Sequence, residues 1–103
     1  LDQNYYHELD SLAAFLLTYK TIVIEIGGHT DGKGSEAYNL KLAQQRVDAC
    51  IRYLEKKGIS RSRLIGKAYG KCCPLEPETI DGKDNPAARK INRRVEYKIL
   101  SGG

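Results

Sequence analysis

An aspartate and an arginine fifteen positions apart, Asp31 and Arg46, are the residues of this chain best placed to do chemistry. They belong to the stretch IVIEIGGHTDGKGSEAYNLKLAQQR, Ile22 to Arg46, which reads as an apolar strand, a polar glycine-rich turn and a helix. An acid and a base at one end of such a unit suit a small zwitterion bearing an ammonium and a carboxylate. On a helical wheel Asn39, Leu42 and Arg46 recur at steps of three and four, about 100° around from the apolar stripe of the same helix. The stripe begins at the helix N-terminus beside Asp31, where free backbone N–H groups favour an anion even without Arg46. Arg46 adds a planar fork matched to a carboxylate. Asp31 would take an ammonium, Leu42 offers apolar surface to an alkyl stem, and Asn39 can brace the turn or the ligand. The bland alternative is that Asp31 and Arg46 pair with each other and only fasten the turn to the helix.

Other chemistries find less support. Gly27 to Gly34 nearly fits the phosphate-loop pattern G-x-x-x-x-G-K-[ST] between a strand and a helix. Gly34, however, lacks the hydroxyl that would hold Mg²⁺, and Asp31 would bring negative charge into the cradle. His29 has no ligand or nucleophile beside it at a telling spacing, and His7 is the other histidine, so a structural His29, hydrogen-bonded within the sheet or turn, is expected. Paired acids or zinc ligands for a hydrolase are missing, which argues against an enzyme and against a metal or cofactor. Arg93 and Arg94 read as two arginines on opposite faces of a strand, one of them pairing with a sheet-facing acid such as Glu25. The net charge is only +4, and no basic face carries interleaved aromatics, so nucleic acid is not an expected partner. Three cysteines lack metal-ligand spacing. A bridge between the adjacent Cys72 and Cys73 would be strained; buried or idle thiols are expected, with a Cys50 bridge to one of the pair as the oxidising alternative.

The elements that must position these residues follow from periodicity. Leu9, Leu12, Ala13, Leu16 and Leu17 at helical spacing predict an amphipathic helix from Gln3 to Tyr19. Ile22, Ile24 and Ile26 alternate in a strand from Thr21 to Gly27, followed by a turn to Gly34. Ser35 is the expected N-cap of a second helix with Glu36 in its first turn. That helix buries Leu40, Ala43, Val47, Ile51 and Leu54 and ends at Lys56-Lys57-Gly58. A second strand covers Leu64 to Tyr69. Gly70 to Pro86 reads as a long loop with a turn at Asp81-Gly82, Ala87 to Lys90 as one helical turn, and Arg93 to Leu100 as a half-exposed strand. Strand, helix, strand makes a βαβ unit with parallel strands, and the last strand joins antiparallel. Residues 1–103 thus read as one α+β domain: a two-layer sandwich, a mixed sheet with helices packed on one face. Its apolar runs are far too short to span a membrane.

Gly28-His29-Thr30-Asp31 with Gly34, Asn39 with Leu42 and Arg46, Tyr53-Leu54, Gly58-Ile59, Arg63-Leu64, Ala68-Tyr69-Gly70 and Asn92-Arg93-Arg94-Val95-Glu96 keep the order and spacing of a known pattern. On these motifs the chain resembles the OmpA C-terminal-like domain, the peptidoglycan-binding module of outer-membrane proteins, peptidoglycan-associated lipoproteins and flagellar-motor stators. The resemblance implies a ligand, the meso-diaminopimelate of the peptidoglycan stem peptide. It also implies that Asp31 receives the ammonium, Arg46 holds a carboxylate, Leu42 lines the pocket, and Thr30 and Asn39 shape the turn. By the same resemblance the parent protein is outer-membrane associated and the domain lies on the periplasmic side of that membrane. Three departures stand out: Ala43 and Val47 replace the usual serine and alanine, Cys72-Cys73 fills a normally polar spot, and the family's first strand is expected to be absent. The second reading is a scaffold domain that has lost the ligand and serves assembly, a homodimer forming through the open sheet edge.

Overall fold

The computed structural model describes residues 3–102; of the expected domain over residues 1–103, Leu1, Asp2 and Gly103 lie outside the described residues. The elements run α1 (Gln3–Thr18), β1 (Val23–His29), α2 (Glu36–Lys56), a 3₁₀ turn (Arg61–Arg63), β2 (Leu64–Gly70), β3 (Thr79–Ile80), β4 (Lys83–Asp84), α3 (Pro86–Asn92) and β5 (Arg94–Ser101). The main sheet has the order β2-β1-β5. β1 pairs parallel with β2 and antiparallel with β5, as a βαβ unit followed by a returning strand requires.

One face of this sheet is the core. Leu9, Leu16, Ile24, Ile26, Val47, Leu54 and Leu64 are buried there between the sheet and the two long helices. α2 starts where Ser35 accepts the Tyr38 N–H at 3.1 Å, satisfying one orphan donor of its first turn. Its apolar stripe holds as expected at Ala43, Val47, Ile51 and Leu54 and differs at its start, where Asn39 is buried while Leu40 is 37% exposed and packs near Gly70. The last carbonyls of α1 find a cation. Arg63 donates to Leu16 O, Tyr19 O and Ile22 O at 2.9, 2.7 and 2.9 Å, tying that helix end to the start of β1.

β1 runs two residues beyond the expected strand, so Gly27, Gly28 and His29 lie in the ladder rather than in a turn. The glycines are there for clearance. A Cβ on Gly28 would lie 2.7 Å from Ala43 O and 2.8 Å from Val47 Cγ2, so α2 rests almost main chain to main chain on β1. A Cβ on Gly27 would meet the Tyr69 ring at 2.8 Å on the opposite face. That opposite face is polar: Glu25 and His29 of β1, Lys67 and Tyr69 of β2, and Arg94, Glu96 and Lys98 of β5 are read from the alternation along the paired strands.

The expected loop from Gly70 to Pro86 contains a small hairpin, β3 and β4, around Asp81 (φ 51°) and Gly82 (φ 75°). Two successive residues at positive φ make the tight turn that a two-residue hairpin prefers. The expected helical turn is longer: α3 has Asn85 as N-cap and Pro86 in its first turn, and ends at Arg93, which is its C-cap and not a strand residue. The cysteines differ from expectation as well. Cys72 and Cys73 are bonded to each other, and Cys50 is alone and buried in the core, where desolvation pushes its thiol up to about 11.

Candidate functional site

β1 and β2 both end at one edge of the molecule, where Thr30 N–H donates to Gly70 O at 2.8 Å and closes the ladder. The chain then leaves the sheet as Thr30-Asp31-Gly32-Lys33-Gly34 and enters α2. Asn39, 2% exposed, reaches back from the first turns of α2 and donates to Lys33 O at 2.7 Å. Thr30, 4% exposed, donates through Oγ1 to Asp31 O at 3.0 Å. Both hydrogen bonds end within the turn.

Arg46 extends from α2 to the same strand end, where Nη1 donates to His29 O at 3.3 Å. Among the described residues it pairs with no carboxylate. Asp31 stands two residues beyond that carbonyl, a stretch of chain that spans at most about 7 Å. Leu42, one turn before Arg46 on the half-buried side of α2, completes the set. Thr30, Asp31, Asn39, Leu42 and Arg46 are therefore gathered at one strand exit. Asp31 and Arg46 are not bonded to each other, so the fastening alternative is not what the turn adopts.

Asp31 has another partner. Its Oδ2 accepts from Arg93 Nη1 at 2.8 Å, and its Oδ1 accepts the Lys33 N–H at 3.0 Å. Partial burial pushes the Asp31 carboxyl up, but Arg93, the Lys33 N–H and the nearby Arg89 together outweigh it and hold the group below its ordinary value. Arg93 is one of the two arginines noted in the sequence, but it points to Asp31 and not to a sheet acid. Glu25 instead accepts from the Tyr69 hydroxyl, and Arg94 pairs with Glu96 at 2.7 Å. The site thus presents a base, an acid and a second base in series.

A second ring of contacts went unseen in the sequence. Both Glu78 oxygens accept the Gly32 N–H, at 2.9 and 3.0 Å, so the distant loop clamps the turn. Asn92, fully buried, holds Glu78 in place. It donates to Glu78 Oε2 at 2.8 Å and Glu76 O at 3.0 Å, and accepts the Leu75 and Glu76 N–H groups at 2.8 and 3.2 Å. Lys71 donates to Gly34 O at 3.1 Å. Loop residues far from the turn in sequence carry no spacing signal, although a buried asparagine ahead of two arginines is the kind of polar hub worth suspecting.

His29 departs from expectation. It is 4% exposed and stacks on Tyr69 with ring centroids 4.8 Å apart and planes 3° from parallel, yet neither ring nitrogen makes a hydrogen bond. Burial and Arg94 push its pKa down, against a smaller upward pull from Glu96.

The OmpA family profile matches residues 1–93. Outer membrane porin F of Pseudomonas fluorescens is 36% identical over 96 residues, covering 93% of this chain and 28% of that protein. The peptidoglycan-associated lipoprotein of Buchnera aphidicola subsp. Baizongia pistaciae is 37% identical over 75 residues, covering 73% of this chain and 43% of its own. The crystal structure of the peptidoglycan-associated lipoprotein from Burkholderia pseudomallei superposes with a TM-score of 0.86 at 27% identity, covering 97% of this chain and 80% of that one. Curated relatives are longer: this chain spans 11%, 28% and 43% of three of them.

Proposed function

Because the chain belongs to the OmpA family, we propose that it binds the stem peptide of peptidoglycan through meso-diaminopimelate and so anchors an outer-membrane protein or complex to the cell wall. As a member of this family it is a non-catalytic module. In the proposed complex Asp31 receives the ligand ammonium, Arg46 takes a carboxylate in its fork, Leu42 packs on the alkyl stem, and Thr30 and Asn39 hold the turn. The observation that carries this reading is that Arg46 and Asp31 flank one strand exit without neutralising each other. An ionised carboxylate has about four lone-pair sites. Lys33 and Arg93 occupy two of them, so an ammonium can join without evicting Arg93. Sharing the acid in this way predicts modest affinity. Relatives named as an outer membrane porin and as peptidoglycan-associated lipoproteins support a place on the periplasmic side of the outer membrane.

The test is retention on purified sacculi of the parent, Asp31→Ala and Arg46→Ala chains. Loss by both variants is expected; undiminished retention of both sinks the site.

One observation favours the assembly reading beside it. The outer edge of β5 is unpaired among the described residues, and Ile99 and Leu100 at its end are 53% and 45% exposed. An antiparallel β5–β5 pairing centred on Tyr97 would set Glu96 of one copy against Lys98 of the other, a complementary register. Sedimentation velocity over a concentration series tests it: a dimer lost in Ile99→Lys supports the edge contact, and a monomer throughout removes it.

A further inference from the structure

The sheet face turned away from the helices carries a cavity of about 460 Å³, apart from the Asp31–Arg46 site. Its floor includes Gly27 and the stacked rings of His29 and Tyr69. Glu25, Glu96 and Lys98 rise from the strands around it, and Leu75 and the disulfide residue Cys73 lean in from the loop. Neither His29 nitrogen makes a hydrogen bond beneath it, Nε2 lying 3.4 Å from Glu96 Oε2. Burying a polar ring without partners costs stability, and such a group calls for an explanation. With its pKa pushed down by burial and by Arg94, the ring is neutral near neutral pH and offers one donor and one acceptor.

The lining says what would satisfy it. Two acids, Glu25 and Glu96, face two bases, Arg94 and Lys98, so neither an anion nor a cation is favoured. Arg94 has engaged all three of its nitrogens: Nε on Glu96 at 2.7 Å, Nη1 on Asn92 O at 3.2 Å and Nη2 on Cys73 O at 2.9 Å. Each nitrogen is already committed to a protein acceptor, and the nearest of these, Glu96, is an anion that another anion would have to displace. An apolar ligand would leave His29 as it is. A hydroxyl donates and accepts from one atom, which suits a neutral imidazole beside carboxylates. Leu75, 58% exposed, and the disulfide-bonded wall offer an apolar surface to a ring of C–H groups. The volume falls within the range of small-molecule sites.

We infer that this cavity binds a short neutral saccharide, its hydroxyls engaging His29, Glu25 and Glu96 while its C–H face lies on Leu75. Glu96, with a half-exposed side chain, stands with Oε2 3.4 Å from His29 Nε2, so one hydroxyl between them can meet both. The inference does not rest on the Asp31–Arg46 reading, because the two sites share no side chain.

Titrations of isotope-labelled protein with N,N′-diacetylchitobiose and, separately, with maltose test it by amide shifts. Saturable shifts at Gly27, His29, Leu75 and Glu96 are expected, with the Thr30 to Gly34 turn unmoved. A response to chitobiose alone marks the site as one for cell-wall-type amino sugars; a response to both marks a general saccharide site. His29→Phe keeps the ring stack and the fold while removing both nitrogens, and should weaken binding about fivefold, one ordinary hydrogen bond. Leu75→Ser should weaken it too, and Arg46→Ala should leave it unchanged. Absence of shifts with either sugar up to tens of millimolar, or a His29→Phe chain that binds like the parent, overturns the inference.

Discussion

Replacing Arg46 by lysine separates a forked grip from a mere positive charge. The guanidinium has five N–H donors, and one of the two at Nη1 reaches His29 O at 3.3 Å. In the proposed complex two of the others take the ligand carboxylate side by side. A lysine keeps the charge, but its three donors radiate from one atom, so it cannot hold the carbonyl and both carboxylate oxygens from the same position. One charge-assisted hydrogen bond is lost, about 1.5–3 kcal/mol. That corresponds to a dissociation constant raised roughly 10- to 150-fold. The His29 contact is long and single, so its removal takes no more than about 1 kcal/mol from folding. Arg46→Lys should therefore melt close to the parent, and Arg46→Ala, which also loses the charge, should bind more weakly than either. Calorimetric titration with a diaminopimelate-containing muropeptide reads the affinities, and thermal melts read the fold. If Arg46→Lys binds within about twofold of the parent while Arg46→Ala does not bind, the fork is wrong; if both bind like the parent, the site is wrong.

Three further outcomes follow from the described contacts. Arg93→Ala removes a partner that is 41% exposed from Asp31; such a pair contributes about 0.2–1 kcal/mol, so ligand binding should tighten by up to about fivefold. A loss as deep as that of Asp31→Ala, in the same titration, would instead make Arg93 part of the grip. Asn92→Ala strands the Leu75 and Glu76 N–H groups and frees Glu78 from its hold on Gly32. It should cost about 2–3 kcal/mol in chemical denaturation and weaken ligand binding through the loosened turn; unchanged stability would contradict the hub. The third concerns acid. The pKa of His29 is lowered in the fold from an ordinary 6.5, so just below that pH the unfolded chain binds more protons and stability rises with pH. The His29 contribution is complete above about pH 6.5 and is lost as pH falls through the lower folded value. Asp31, also lowered, adds a further loss below its ordinary 3.8. Denaturation across this range should show a shallower acid slope in His29→Phe, and equal slopes would remove His29 as the cause.

Periodicity made most of the frame legible. The alternation of Ile22, Ile24 and Ile26 and the helical recurrence of Ala43, Val47, Ile51 and Leu54 report which faces meet, and those faces form the core. What escaped the sequence was clearance and distance. Gly27 and Gly28 look like turn residues because glycine weakens a strand, yet they sit in the ladder where a helix and a tyrosine ring press closest. Leu40 and Asn39 exchange roles because the turn needs an amide on its inner side more than the core needs another leucine. Asp31 and Arg46 could be singled out from residue types and spacing, but not the partner that occupies Asp31. Arg93 is 62 residues away, and only the return of the chain through α3 brings it there. The Cys72–Cys73 bond overturns the reading of idle thiols, which rested on the geometry adjacent cysteines usually resist.

The bare strand at Gly28 has a consequence for how this molecule can change. Since α2 lies against β1 through Ala43 O, and Arg46 is one helical turn farther on, the gauge between the two charges is fixed by skeletons rather than by side chains. The rim can be rewritten freely without altering that gauge. Adding one methyl at position 28 would instead lift the helix and carry the arginine outward. The grip could thus be opened by a substitution that touches neither charge, at a residue no ligand would ever meet.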